Sequence, residues 1–355
     1  MSCQLRRSRG LRQAWPLPWL FVRRRPMTHD PTYIYSQRSA ASVGHLLAVH
    51  YALATPVHCR FYVLGLHDNY LVKSAGRQYM FRIYRNDWRT PEEALFELEL
   101  LSHLNDRGAP VAGPVPTVTK ELAIRIASPE GERMAALFHY AEGHAPADAI
   151  TPDECVLLGH AVARVHDIAE TFETTHVRRE LDVRYLIDES IVALEPFLNR
   201  DARAFIGDCQ HELHALLPGL QKAAGVYGIC TGDVNPGNCH ISRGKHITLF
   251  DFDQCGYGYR AFEIGKFASS IHSHPLKHPL VEAFMRGYRQ VRAISEAEQR
   301  VIPYFEMAAV IWVMAINARN ADRIGYKFLD QPFWAKKLAV LKALHARQQG
   351  QHGRV

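Results

Sequence analysis

No Cys-x-x-Cys pair occurs in the 355 residues, and the seven cysteines, at 3, 59, 155, 209, 230, 239 and 255, are scattered and odd in number. That pattern argues against a disulfide frame or a zinc site and fits reduced thiols in a cytoplasmic protein. No apolar run approaches the roughly 18–20 residues that a membrane span needs. The longest, Met307 to Ile316 with Trp312 inside it, reads as a buried helix. Internal repeats and low-complexity segments are absent. Basic excess is also scarce once the first 26 residues are set aside. Seven of the 42 Lys and Arg lie there with no acidic residue, which leaves 35 basic against 36 acidic side chains in the body. A near-neutral body does not offer nucleic acid a basic face.

What remains is an ordinary soluble composition, 47% hydrophobic and 22% charged, on a chain long enough for two lobes. Residues 1–26 combine arginine clusters with Trp15-Pro16-Leu17-Pro18-Trp19. The prolines break the apolar centre a signal peptide would need, and no small-residue cleavage site follows. The segment reads as an unstructured extension or a misassigned start, with Met27 opening the folded chain. His272-Ser273-His274-Pro275-Leu276-Lys277-His278 has no neighbouring carboxylate or cysteine and reads as a solvated loop rather than a metal site.

Apolar spacing predicts a helix over Ser42 to Tyr51, then strands at Cys59–Leu64, Tyr70–Lys73 and Gln78–Tyr84. A tight polar turn, Gly65-Leu66-His67-Asp68-Asn69, joins the first two strands. Thr90-Pro91-Glu92-Glu93 is a capping signal for a helix over Glu92–Leu104. A hairpin through Pro129-Glu130-Gly131 follows, and His139-Tyr140-Ala141-Glu142-Gly143 leaves the sheet at a glycine. Beyond it, helices are expected at Cys155–His166, Leu186–Leu198, Glu212–Ala223, Phe284–Val291 and Glu296–Asn317.

The stretch Thr231-Gly232-Asp233-Val234-Asn235-Pro236-Gly237-Asn238 carries the chemistry, with Leu249-Phe250-Asp251-Phe252-Asp253 beyond it. The D-x-x-x-x-N spacing, completed by a second Asp after an apolar run, is that of a protein-kinase catalytic loop. Moving a γ-phosphoryl group needs a carboxylate to orient or deprotonate the attacking hydroxyl, here Asp233. It also needs oxygen ligands for Mg²⁺, here Asn238 and Asp251. Asp, Asn, Gly and Pro are also ordinary turn formers. Arg82, mid-strand, stands where a kinase keeps the cation for the α- and β-phosphates, and Glu97 on the next helix could pin it. Alone, Arg82 reads first as a solvent-facing charge on an alternating strand, and Glu97 as a solvated helix charge. The turn at 65–69, Asp68 included, could lay backbone N–H groups over the phosphates. His166 reads as a structural, hydrogen-bonding histidine.

Together these pieces resemble the aminoglycoside phosphotransferase / choline kinase superfamily, nearest the branch of homoserine-kinase-like enzymes and stress-response kinase A. The likeness spans about Ser36 to Leu344. It rests on Gly65 through Val72, Phe81-Arg82-Ile83-Tyr84-Arg85, Pro110 through Val115, Gly159 through His166, Gly232-Asp233 through Asn238, and Asp251 through Gly258. The resemblance implies an α+β, bilobal protein-kinase-like fold, with an antiparallel sheet lobe carrying one helix and a larger, mainly helical lobe. A nucleotide-binding lobe and hinge at 27–142, a catalytic and substrate lobe at 143–345 and a polar tail at 346–355 follow from it. ATP and Mg²⁺ are the implied cofactors, with Asp233 as catalytic base and Asn238 and Asp251 as metal ligands. Arg82, Glu97 and Asp68 serve the phosphates, and the backbones of His139 and Ala141 serve the adenine. The chain departs from the family at Thr231 and Asn235, where His is usual, at Glu263, where Asp is usual, and at His67 and Asn69.

The activity so implied is transfer of the γ-phosphate to a hydroxyl of a small molecule such as an amino alcohol, amino sugar or homoserine-like compound, in the cytoplasm, with neither nucleic acid nor membrane as partner. The alternatives are a Ser/Thr protein kinase of the stress-response type and a nucleotide-binding protein that has lost catalysis. No A-P-E-like anchor follows Asp251, which favours the small molecule.

Overall fold

Alternation along the third strand decides the architecture. Phe81 and Ile83 point to one face of the sheet, and Met80, Arg82 and Tyr84 to the other. The computed structural model describes residues 33–352, Gly244 apart, so the arginine-rich segment 1–26 lies outside the described residues. Its first half is an antiparallel sheet of β1 (Val57–Leu64), β2 (Asp68–Ser74), β3 (Arg77–Ile83), β4 (Pro114–Val115), β5 (Ile124–Ser128) and β6 (Gly131–His139). The order is β1-β2-β3-β6-β4, with β5 also paired to β6. Helix α1 (Ala40–His50) covers the Phe81 face through Val43 and Leu47, which meet Tyr70, Val72, Ile83 and Leu137.

Helix α2 (Pro91–Asp106) belongs to the other apolar cluster, with Tyr84, Met134, Ala136 and Phe138. Its start is the expected capping box. Thr90 Oγ1 accepts from Glu93 N–H, and the Glu93 carboxylate accepts from Thr90 N–H. Because α2 packs on the cleft side, the one charge on its buried stripe, Glu97, faces the side chain of Arg82.

The second half is mainly helical: α3 (Pro152–Ile168), α4 (Glu189–Leu194), α5 (Arg200–Leu216), α6 (Arg260–Ser270), α7 (Lys277–Arg289), α8 (Glu296–Arg319), α9 (Ala321–Ile324) and α10 (Gln331–His352). Two small antiparallel pairs, β7 (Tyr227–Cys230) with β10 (Gly256–Tyr259) and β8 (Cys239–Ile241) with β9 (Ile247–Leu249), frame the loop around Asp233. The segment after α2 bonds to β9, since Leu249 N–H donates to Pro110 O and Ala112 N–H to Leu249 O. The strand leading to Asp251 is thereby tied to the sheet half. This is the mixed α+β class expected from the sequence.

Four local expectations need correction. Asp68 and Asn69 belong to β2, so the β1–β2 turn is only Gly65–His67, closed by Gly65 N–H on His67 O. The helix expected at 212–223 is α5, which begins at Arg200, because Asn199 caps it and Ala202, Ile206, Cys209 and Leu213 form its buried stripe. Pro218 and Gly219 follow its last turn. The helix expected at 186–198 splits into a π-helical turn at Arg184–Asp188, α4 and a 3₁₀ turn over Glu195–Phe197. The expected polar tail continues α10 to His352, anchored by buried Trp334, Leu341, Leu344 and Gln348.

Helix α8 is the one described helix long and apolar enough to cross a membrane, and most of it is buried inside the fold. Helices α3 and α7 meet backbone to backbone. A Cβ on Gly159 would lie 2.0 Å from Phe284 O, and one on Gly287 would lie 2.0 Å from Val156 O. Gly159→Ala should therefore reverse the usual helix preference of ~1 kcal/mol for alanine. A stability loss of about 1–3 kcal/mol is expected from the urea midpoint; a gain would mean the helices do not touch there.

Candidate active site

Arg82 is buried at 8% exposure between two carboxylates. Its Nη1 lies 2.9 Å from Glu97 Oε1 and its Nη2 2.9 Å from Asp251 Oδ1. Glu97 is fully buried and also accepts from Tyr84 OH at 3.0 Å. Burial pushes the Glu97 carboxyl up, while the Arg82 guanidinium pulls it back. Tyr84 and Phe138 flank Arg82 at 5.7 and 5.4 Å from the ring centroids. The solvated-charge reading of both residues is excluded by this burial.

Asp233 sits on the loop between β7 and β8. The loop enters through Gly232 at φ +84, where a Cβ would strike Gln254 O at 2.0 Å. Both Asp233 oxygens are held: Oδ1 by Lys266 Nζ at 2.6 Å and Oδ2 by Asn238 Nδ2 at 2.9 Å. Asn235 accepts from Gly237 N–H and donates to Asp233 O, shaping the 3₁₀ turn Pro236–Asn238. Glu263, fully buried on α6, accepts Thr231 N–H and Oγ1–H at 2.7 Å and Gly232 N–H at 2.9 Å. His166 lies behind it, 2.8 Å from Tyr288 OH and 3.4 Å from Glu263, in the structural role expected. His166, Cys230 and Glu263 are close enough to share an ion, but the His166 and Glu263 atoms are committed to these bonds.

The two acids of Asp251-Phe252-Asp253 part company. Asp251 takes φ +63, and its side chain is 44% exposed beside Arg82. Asp253 is buried among donors: His67 Nε2 at 2.8 Å, Trp88 Nε1 at 2.9 Å and Arg89 Nε at 3.0 Å. Burial alone would raise its pKa, yet Arg89, His67 and Arg178 hold it well below the ordinary carboxylate range. His67 accepts Arg85 N–H at Nδ1, so its proton sits on Nε2, facing Asp253.

Asp233, Asn238 and Asp251 line one small cavity with Leu249 and Phe252. Asn238 Oδ1 and the second Asp251 oxygen remain as hard oxygen donors, a set that suits Mg²⁺ or Ca²⁺. At the hinge, His139 N–H donates to Gly113 O, and Ala141 O accepts from His240. Asp68 departs from the expectation. Its carboxylate is fully buried, 2.7 Å from Arg133 Nη2 and bonded to Tyr35 OH, so it anchors the sheet rather than facing a cofactor. Sequence reasoning missed Lys266, on α6 three residues after Glu263. One helical turn separates them, which puts both on the face packed under the loop.

Residues 60–301 match the profile of the phosphotransferase enzyme family. An uncharacterized protein of Synechocystis sp. is 33% identical over 314 residues, 88% of this chain and 87% of that protein. A homoserine kinase of Polaromonas naphthalenivorans is 26% identical over 247 residues, 68% of this chain and 74% of that one. Among solved structures, amicoumacin kinase in complex with AMP-PNP and Ca²⁺ superimposes with a TM-score of 0.73 at 20% identity, covering 87% of this chain and 94% of that one. That likeness extends to the whole fold.

The Asp253 cluster makes a pH prediction. The folded carboxyl titrates below its unfolded value of about 3.9. Its stabilisation is therefore complete above that value and is lost as the pH falls toward the folded pKa. Asp253→Asn should cost about 3–5 kcal/mol at pH 7 by urea denaturation, and the gap from wild type should narrow below a pH of about 4. A gap that does not change with pH would sink this account.

Proposed function

Since the chain belongs to the phosphotransferase enzyme family, we propose that it transfers the γ-phosphoryl group of ATP to a hydroxyl of a small molecule, with Asp233 as catalytic base. The observation that carries this is the carboxylate of Asp233, held at both oxygens by Lys266 and Asn238 and 30% exposed at its side chain. Each oxygen keeps a lone pair, so an acceptor O–H can donate to it without the carboxylate turning.

The other residues take roles around that proton transfer. Arg82, fixed by Glu97, orients the α- and β-phosphates. Asn238 and Asp251 hold Mg²⁺, which when bound draws off the charge on the phosphates. With His139 N–H and Ala141 O already engaged, the adenine edge is read by the His139 carbonyl and the Ala141 N–H. The closed turn Gly65–His67 covers the phosphates, steadied by the bond from His67 to Asp253. Catalysis of this kind is positioning and electrostatics rather than covalent chemistry.

A cavity of about 380 Å³ beside the Asp233 loop, walled by α6, α8 and α10, supports a small acceptor over a protein chain. The names of the homoserine kinase and amicoumacin kinase relatives point the same way. ATP as donor supports a cytoplasmic setting.

Asp233→Asn should lower kcat by about 10²–10⁴ in an ADP-release assay while MgATP still binds by calorimetry. Unchanged turnover would remove Asp233 as the base. Asp251→Asn should weaken MgATP binding more than binding of ATP in EDTA; identical titrations would exclude it as a metal ligand.

A further inference from the structure

The cavity beside Asp233 has a one-sided charge. Its ionisable lining groups are Lys266, His272 and Lys337, and no Asp or Glu lines it among the described residues. The acid one turn away on α8, Glu306, is already paired with Lys277. Lys337 has no carboxylate partner among the described residues, and the Phe333 ring is 5.8 Å from its Nζ. Burial and the positive charges of Lys336 and Lys266 lower its pKa, the direction expected of an ammonium with no acid beside it. His272 Nδ1 is 3.0 Å from Ser269 O and donates to it, which leaves Nε2 as its open nitrogen. Val310 and Val313 supply the apolar wall for a carbon skeleton.

Lys266 links this cavity to the chemistry, because its Nζ is 2.6 Å from Asp233 Oδ1. With Lys266 paired to Asp233, the uncompensated charge of the cavity is that of Lys337, which an ammonium-bearing acceptor would meet with no acid beside it. An anion would supply the charge that Lys337 lacks.

We propose that the acceptor is an anionic alcohol, whose carboxylate or phosphate group is bound by Lys337, with Lys266 between that group and the hydroxyl at Asp233. This rests on the phosphotransferase reading above. In the transfer, the acceptor oxygen bonds to the γ-phosphorus as the bridging bond to the β-phosphate breaks. The hydroxyl proton passes to Asp233, and ADP leaves with that electron pair.

The test is calorimetry on the full chain with Mg²⁺ and AMP-PNP, using three- to six-carbon alcohols matched except for one end group. At three carbons these are glycerate, glycerol 3-phosphate, 3-amino-1,2-propanediol and glycerol. An anionic member should bind tightest, and the carboxylate and phosphate arms decide which anion is preferred. Lys337→Ala should weaken that binding about 10- to 100-fold, the loss of one charge-assisted hydrogen bond. Lys337→Arg should keep it within a few-fold. Tightest binding by an ammonium or neutral member, no binding by any anionic member, or anion binding untouched by Lys337→Ala overturns the proposal. ADP release from ATP with the same panel reads the enzyme assignment separately. Release with amino alcohols alone keeps the kinase and sinks the anion site; anion binding without release with any acceptor sinks the kinase and keeps the site.

Discussion

A carboxylate taken out of water must be surrounded by donors, and the arrangement of the cleft follows from how Asp253 meets that demand. Its donors come from separate parts of the chain: His67 from the β1–β2 turn, Trp88 and Arg89 from the segment before α2. Arg178 closes on the neighbouring carbonyls of Asp253 and Cys255. Satisfying one buried charge therefore fixes the turn, the start of α2 and the D-F-D strand end against one another. Asp251, two residues earlier, is then left at the surface of the cleft beside Arg82.

The same logic holds the loop together around Thr231 and Glu263. With Thr at 231 the side chain is short, and with Glu at 263 the opposing acid is one methylene longer. The two meet at 2.7 Å, and the Glu263 carboxylate also takes the N–H groups of Thr231 and Gly232. A buried carboxylate with three loop donors braces the entry to Asp233 from α6. Asn235 does its bracing within the loop itself, through Asp233 O and Gly237 N–H. Thr231 and Glu263 therefore act as a pair.

Most of the sheet half was legible because its signals are local. The period of two placed Arg82 within a strand, and Thr90-Pro91-Glu92-Glu93 marked the start of α2 within a residue. The motif order tied Asp233, Asn238 and Asp251 to one cleft. What the sequence could not display were partners distant along the chain. Nothing near Asp68 says that Arg133 will meet it across the sheet, so a turn acid looked available when it was a buried anchor. Lys266 was hidden for the same reason, since its partner lies 33 positions earlier. The start of α5 was missed for a different one: its stripe of Ala202, Ile206, Cys209 and Leu213 is diluted by polar residues on the other three sides.

Lys266 is both a buried charge and the partner of Asp233. At 4% exposure, an ammonium without a counter-ion would be costly, and Asp233 is the acid that meets it. The pair is thus a mutual constraint: the lysine stops the carboxylate from rotating away, and the carboxylate keeps the lysine in place. Asn238 completes the clamp at the other oxygen. Such preorganisation is what phosphoryl transfer requires, since the enzyme must hold the hydroxyl in line while making no bond of its own. A cation rooted on α6 holds Asp233 from beneath the loop, where it also lines the cavity walled by α6, α8 and α10. The hold on Asp233 and one of the charges lining the cavity therefore come from one side chain.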